Sequence, residues 1–138
     1  MDKSVNLYAI QSDKSVPQFV ADFSAIAKAN KFVINNLDTM DMKTTLRHHG
    51  GEVPGNFDLH MMHVCKPTKS DKSLTFNKER AIFMPKFIHV FSKDTRTQVR
   101  YLRYSPEQIS AMVPDDPQFP VSLAQTFEKI CTMIDEAK

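Results

Sequence analysis

Between Phe57 and Phe91 the chain sets two strand-like runs on either side of two proline turns, Lys66-Pro67 and Met84-Pro85-Lys86. Proline has no N–H to give to a ladder, so Lys66-Pro67 stops the strand from Phe57 to Cys65. This stretch constrains the fold far more than it constrains any chemistry.

The second run continues into a hairpin. Phe87 to Ser92 and Thr97 to Tyr104 flank the polar turn Lys93-Asp94-Thr95-Arg96 and are predicted to pair antiparallel. With Asp94 and Thr95 at the turn centre, alternation puts Ile88, Val90, Val99 and Tyr101 on one face. Phe87, His89, Phe91, Gln98, Arg100 and Leu102 fall on the other. The first set suits a core under helices. The second is too apolar to face water, so a subunit, a ligand or a loop should cover it.

The remaining segments fit around that sheet. A strand is expected from Val5 to Gln11 and another from Phe32 to Leu37. Ser15 is placed to cap a helix whose stripe of Val16, Phe19, Val20, Phe23, Ile26 and Ala27 runs to about Asn30. Asp41 caps a short helix from Met42 to His49 that Gly50-Gly51 ends, and residues 68 to 79 read as a short helix or turn. Ser105 with Gln108 repeats the capping pattern for a brief helix through Met112. After a proline-rich loop, Leu123, Ala124, Phe127, Ile130, Cys131 and Ile134 form the stripe of a terminal helix. The order predicts an α+β two-layer sandwich: a twisted, mostly antiparallel sheet with two long helices on one face.

A chain of 138 residues with 41% hydrophobic and 25% charged residues is expected to form one domain, 1–138, with one core. Folding at this length buries about two-thirds of the unfolded surface, so neither disulfides nor structural metal are required. Cys65 and Cys131 are far apart in sequence and lie in unlike elements, with no short metal or redox spacing. The chain shows neither an apolar run of about 18 residues nor a secretory-type apolar core at its start, which points to a cytoplasmic protein without a membrane span. Charge is uneven: residues 66–103 carry ten basic and three acidic side chains, a local balance of 10 − 3 = +7. That run reads as a solvated face, or as a patch for an anionic partner.

Catalytic signatures are absent from the sequence. Gly50, Gly51 and Gly55 do not lie between a strand and a helix start, so they build neither a dinucleotide fingerprint nor a phosphate loop. There is no nucleophile elbow, zinc-protease helix or Cys-x-x-Cys pair. His63 and Cys65 share one strand face with Leu59 and Met61, about 7 Å apart, and imidazole with thiolate would suit zinc or copper. His60 falls on the opposite face with Met62 and Val64. No third ligand is specified by spacing, so core packing is the simpler role for the pair. The scattered methionines read as gap-fillers, and no cofactor is indicated. Asp115-Asp116, among prolines, reads as a pair of solvated turn acids.

Cys65-Lys66-Pro67, then Ile82-Phe83-Met84-Pro85-Lys86, then His89-Val90-Phe91 resemble the pattern of the family called domain of unknown function 302. The upstream Met40 to Val53 looks like that family's short helix and glycine, and the resemblance covers about residues 20 to 137. It implies a small α+β fold similar to the TATA-binding-protein-like fold and a dimeric state, and it supplies no established activity. Lys86 stands where a second cysteine is often found, which removes the cysteine pair that a redox or metal role between the two turns would need.

The leading expectation is a non-enzymatic binding module that forms a homodimer. It would hold a small apolar or anionic ligand on the hairpin face, at Phe87, His89, Phe91, Arg100 and Leu102. A metal-dependent or redox accessory protein using His63 and Cys65 is the second expectation. Nucleic-acid binding through the basic middle is disfavoured by the absence of tryptophan and of a basic-aromatic stacking motif.

Overall fold

The computed structural model describes residues 6–84 and 86–138. The expected strand start at Val5 and the proline of the Met84-Pro85-Lys86 turn lie outside the described residues. In chain order the elements are β1 (Leu7–Ser12), α1 (Val16–Ala29), β2 (Val33–Ile34), α2 (Met42–His48), β3 (Leu59–Cys65) and α3 (Pro67–Phe76). A 3-10 turn (Lys78–Phe83) follows, then β4 (Lys86–Lys93), β5 (Arg96–Leu102), α4 (Pro106–Met112) and α5 (Phe119–Ala137). The fold is α+β, with a five-stranded, wholly antiparallel sheet ordered β1-β5-β4-β3-β2.

The local signals explain the elements. Ser15 accepts a hydrogen bond from the Gln18 amide at 3.2 Å, and Val16, Phe19, Val20, Phe23 and Ala27 are buried along α1. At α4, Ser105 and Gln108 form the complete reciprocal capping box. Leu123, Phe127, Ile130 and Ile134 are buried along α5, which starts four residues earlier than its apolar stripe suggests, with Pro120 in the first turn. Both long helices lie on one face of the sheet, over Met62, Val64, Ile88, Val90, Val99 and Tyr101. Every core residue of β3, β4 and β5 belongs to that one parity of alternation.

One strand is much shorter than expected. β2 keeps only Val33 and Ile34, paired with Cys65 and Val64. Beyond them the Asn36 side chain replaces a backbone partner. Its amide donates to the Met61 carbonyl at 2.8 Å, and its oxygen accepts from the His63 N–H at 2.8 Å. The ladder groups of β3 are thus satisfied without a continued strand.

Asp115 is exposed as expected of a turn acid, but Asp116 and, in the basic run, Arg80 are not. Asp116 is 3% exposed, and Arg80 is 8% exposed. The Arg80 guanidinium meets the Asp116 carboxylate in a two-point pair, at 2.6 and 2.8 Å, between the rings of Phe76 and Phe119. Asn77 donates to the same carboxylate at 3.0 Å, and Asp116 also accepts from the Phe119 N–H at 3.3 Å, tying the 3-10 turn to the start of α5. The turn acid is a buried structural anchor, and Arg80 is no part of a surface patch.

Candidate functional site

The face of the sheet turned away from α1 and α5 is built from the other parity of the same strands. Across β3, β4, β5 and β1 its rows are Leu59, Phe91, Gln98, Gln11 and then Met61, His89, Arg100, Ala9. His63 pairs with Phe87 in the next row, as Leu102 does with Leu7. All five residues expected to hold a ligand or partner, Phe87, His89, Phe91, Arg100 and Leu102, lie on this face. Phe87, His89, Phe91 and Arg100 are half-buried, while Leu102 is 49% exposed.

Arg100 does not stand up from the face. Its guanidinium lies 5.6 Å from the Phe91 ring and donates to the carbonyls of Val99 and Ile10 and to the Gln98 side chain, at 3.0, 3.3 and 3.2 Å. Gln98 is covered to 1% exposure despite lying on the open side. Burial holds the pKa of His89 below its ordinary value. His63 is shifted the same way, first by burial and then by the positive charge of Lys86. At one end of the face a groove of about 190 Å³ runs between Phe87, His89, Leu102, Ile82, Phe83 and Tyr104.

The pair His63 and Cys65 is on one face, as expected, but it gathers no further ligand. The His63 ring packs 5.4 Å from that of Phe87, and Cys65 Sγ lies 3.5 Å from Ser70 Oγ. Among the described residues no group of three or more His, Cys, Asp or Glu side chains is placed to hold a metal ion. Both cysteines are free.

A second concavity, which sequence reasoning missed, lies where β3 and β4 end against α3. Val64 faces Lys86 across the ladder. A cavity of about 290 Å³ there is lined by Leu74, Ala81, Met84, Ser70, Cys65 and Lys86, among others. A narrower one, of about 30 Å³, shares Cys65, Ser70, Met84 and Lys86 and adds Lys66 and Lys69. Lys69 is fixed by donating to Ser122 O at 3.2 Å and Thr126 Oγ1 at 2.5 Å. Burial pulls the pKa of Lys86 and of Lys69 below the ordinary lysine value. The only hint in the sequence was a lysine at the end of a strand whose alternate residues are core.

In class, this is an antiparallel α+β two-layer sandwich with helices on one side of its sheet and an apolar face left open on the other. A family model described as a domain of unknown function, DUF302, matches residues 8–137, and the chain belongs to that family. The crystal structure of an uncharacterized conserved DUF302 protein from Bacillus stearothermophilus is similar in fold, with a TM-score of 0.76 at 16% identity over 96% of this chain and 98% of that one. No curated protein matches the chain. Among the described residues no helix is long and apolar enough to cross a membrane.

Proposed function

We propose that the chain is a non-enzymatic interaction module that forms a homodimer through the open face of its sheet. The uncovered apolar surface carries this reading: Leu7 and Leu102 are 39% and 49% exposed beside Phe87, Phe91, Leu59 and Met61. Four strands about 4.8 Å apart and about seven residues long span roughly 19 by 23 Å, on the order of 400 Å² in projection and more in accessible area. In projection that is about half of the ~800 Å² each partner gives to a stable interface, and it exceeds what a small molecule covers. A second copy suits the charge pattern as well. None of the rows across the face holds a carboxylate, and Arg100 is already partnered within its own chain. Two copies can therefore meet largely apolar on apolar, with the Arg100 guanidinium hydrogen-bonded to neutral groups of its own chain, in the two-fold arrangement most common for homodimers.

The groove at the end of the face favours a second reading, a small ligand held against Phe87, His89 and Leu102. Its 190 Å³ lies below the roughly 300 Å³ at which ligand pockets usually begin, so the dimer is the stronger proposal. The free state of both cysteines supports a reducing, cytoplasmic location.

Native mass spectrometry of the full chain tests both readings. The wild type is expected to be a dimer at micromolar concentration, and Leu102→Glu a folded monomer, since a half-exposed side chain tolerates a charge when no partner covers it. A monomeric wild type, or a Leu102→Glu variant that dimerises as before, refutes the interface. Extra mass on the wild-type subunit that Leu102→Glu abolishes would support the groove.

A further inference from the structure

Among the described residues two cations are about nine-tenths buried, and the fold treats them in opposite ways. Arg80, 8% exposed, is matched in full by Asp116. Lys86 is 9% exposed, and its side chain has no hydrogen-bond or ion-pair partner among the described residues. The stem of Lys86 is buried while its ammonium tip keeps access to the cavities it lines, and no carboxylate among the described residues neutralises it there, whereas Asp116 neutralises Arg80. An anion entering these cavities would meet an ammonium that no group among the described residues already neutralises.

The surroundings define its chemistry. Lys86 lines both cavities at the end of the sheet, and neither cavity is lined by an aspartate or glutamate. The narrow cavity adds Lys66 and Lys69 beside the hydroxyls of Ser70 and Ser73. The start of α3 lies here too, without a side-chain cap, so the positive end of its dipole has the same sign as the lysines. The wider cavity is mostly apolar, walled by Val64, Leu74, Ala81 and Met84, and its 290 Å³ sits at the lower limit of ligand pockets, about 300 Å³.

We infer that the two cavities form one binding site for a small organic acid, its acid head among Lys86, Lys69 and Lys66 and its short apolar body along Leu74, Ala81 and Met84. The anion would discharge Lys86, and the apolar wall would select a molecule with a hydrocarbon part over a bare inorganic ion. The site is built from β3, β4, α3 and α5, and Lys86 also lines the groove at the end of the open sheet face, so Lys69→Gln, at a residue that does not line that groove, separates the two sites.

Isothermal titration of the full chain with octanoate tests this, with 1-octanol and inorganic phosphate as comparison probes. Octanoate is expected to bind, with octanol at least tenfold weaker because it lacks the charge, and phosphate at least tenfold weaker because it lacks the apolar body. Lys86→Met, which keeps the length and removes the charge, should weaken octanoate about thirtyfold or more, as removal of one member of a buried charge pair does. Lys69→Gln should weaken it several-fold. Absence of octanoate binding at millimolar concentration, equal binding of octanol, tighter binding of phosphate, or undiminished affinity in Lys86→Met would each overturn the proposal. The octanoate and octanol comparison uses wild-type protein alone, so it decides the matter even if a lysine variant fails to fold.

Discussion

Tyr101 serves the core well with its ring and poorly with its hydroxyl. The side chain is 1% exposed, packs edge-on to Phe127 with ring centres 6.0 Å apart, and leaves its buried oxygen without a hydrogen-bond partner in the structure. An unmet buried hydroxyl is a net penalty, so Tyr101→Phe is expected to raise stability by about 1 kcal/mol, read as an upward shift of the urea midpoint at unchanged slope. A loss of stability would mean that the hydroxyl has a partner in solution. His60 Nδ1 is the other buried polar side-chain atom left unpaired among the described residues. Neither atom could be identified from the sequence, because strand alternation assigns a residue to a face and says nothing of what its polar tip meets there. The same limit hid Lys86: parity puts it with Ile88 and Val90 on the core side, yet a lysine is ordinarily assumed to reach water.

Among the elements, the hairpin was the most legible. Its turn centre, its pairing and the membership of both faces follow from period-two alternation about Asp94 and Thr95, and the register pairs Lys93 with Arg96 as that centre demands. Both turn residues have positive φ, 55° and 63°, the geometry of a two-residue turn whose twist matches the strands. Thr95 is a poor occupant, since a β-branched residue is strained in the left-handed region. Thr95→Gly relieves that strain, partly offset by the greater freedom of glycine in the unfolded chain, and should stabilise the protein by about 0.5–1 kcal/mol in thermal or chemical melts. A variant less stable than wild type would show that the threonine contributes contacts outweighing its strain. β2 was less legible. Phe32 to Leu37 has the composition of a strand, but the Asn36 side chain takes the hydrogen bonds of β3 that a longer strand would use. An asparagine's ability to mimic backbone depends on what lies across from it, which no local pattern records.

At the scale of the whole molecule, the buried pair of Arg80 and Asp116 joins the 3-10 turn to α5 across 36 residues of sequence. The hydrogen bonds from the Arg80 side chain, first among the causes, hold the Asp116 pKa down to about 2 from its ordinary 3.8. A carboxylate whose folded pKa is depressed contributes stability that is complete above its unfolded value and is lost as the pH falls through the folded one. Asp116→Ala leaves the guanidinium buried and unpaired and should cost about 3–5 kcal/mol at neutral pH. In equilibrium unfolding that deficit relative to wild type should shrink between pH 3.8 and about 2, as the wild-type carboxylate takes up its proton. A deficit constant over that range would remove the pair from the account of stability. The expectation of solvated acids holds for the exposed Asp115 and fails for Asp116, because the two look alike in a proline-rich loop. Only the approach of Arg80 distinguishes them.

The sequence by itself determined the division of residues between the two faces of the sheet, the stripes of α1 and α5, and the caps at Ser15 and Ser105. These depend on interactions within a few residues, and strand and helix periods of two and 3.6 write them directly into the order of side chains. Only the tertiary structure decided which cation of the basic run meets a carboxylate, and that three lysines from β4, α3 and its cap converge on one cavity. Such pairings join segments with no fixed spacing between them, so their energies depend on distances that exist only after the chain has folded.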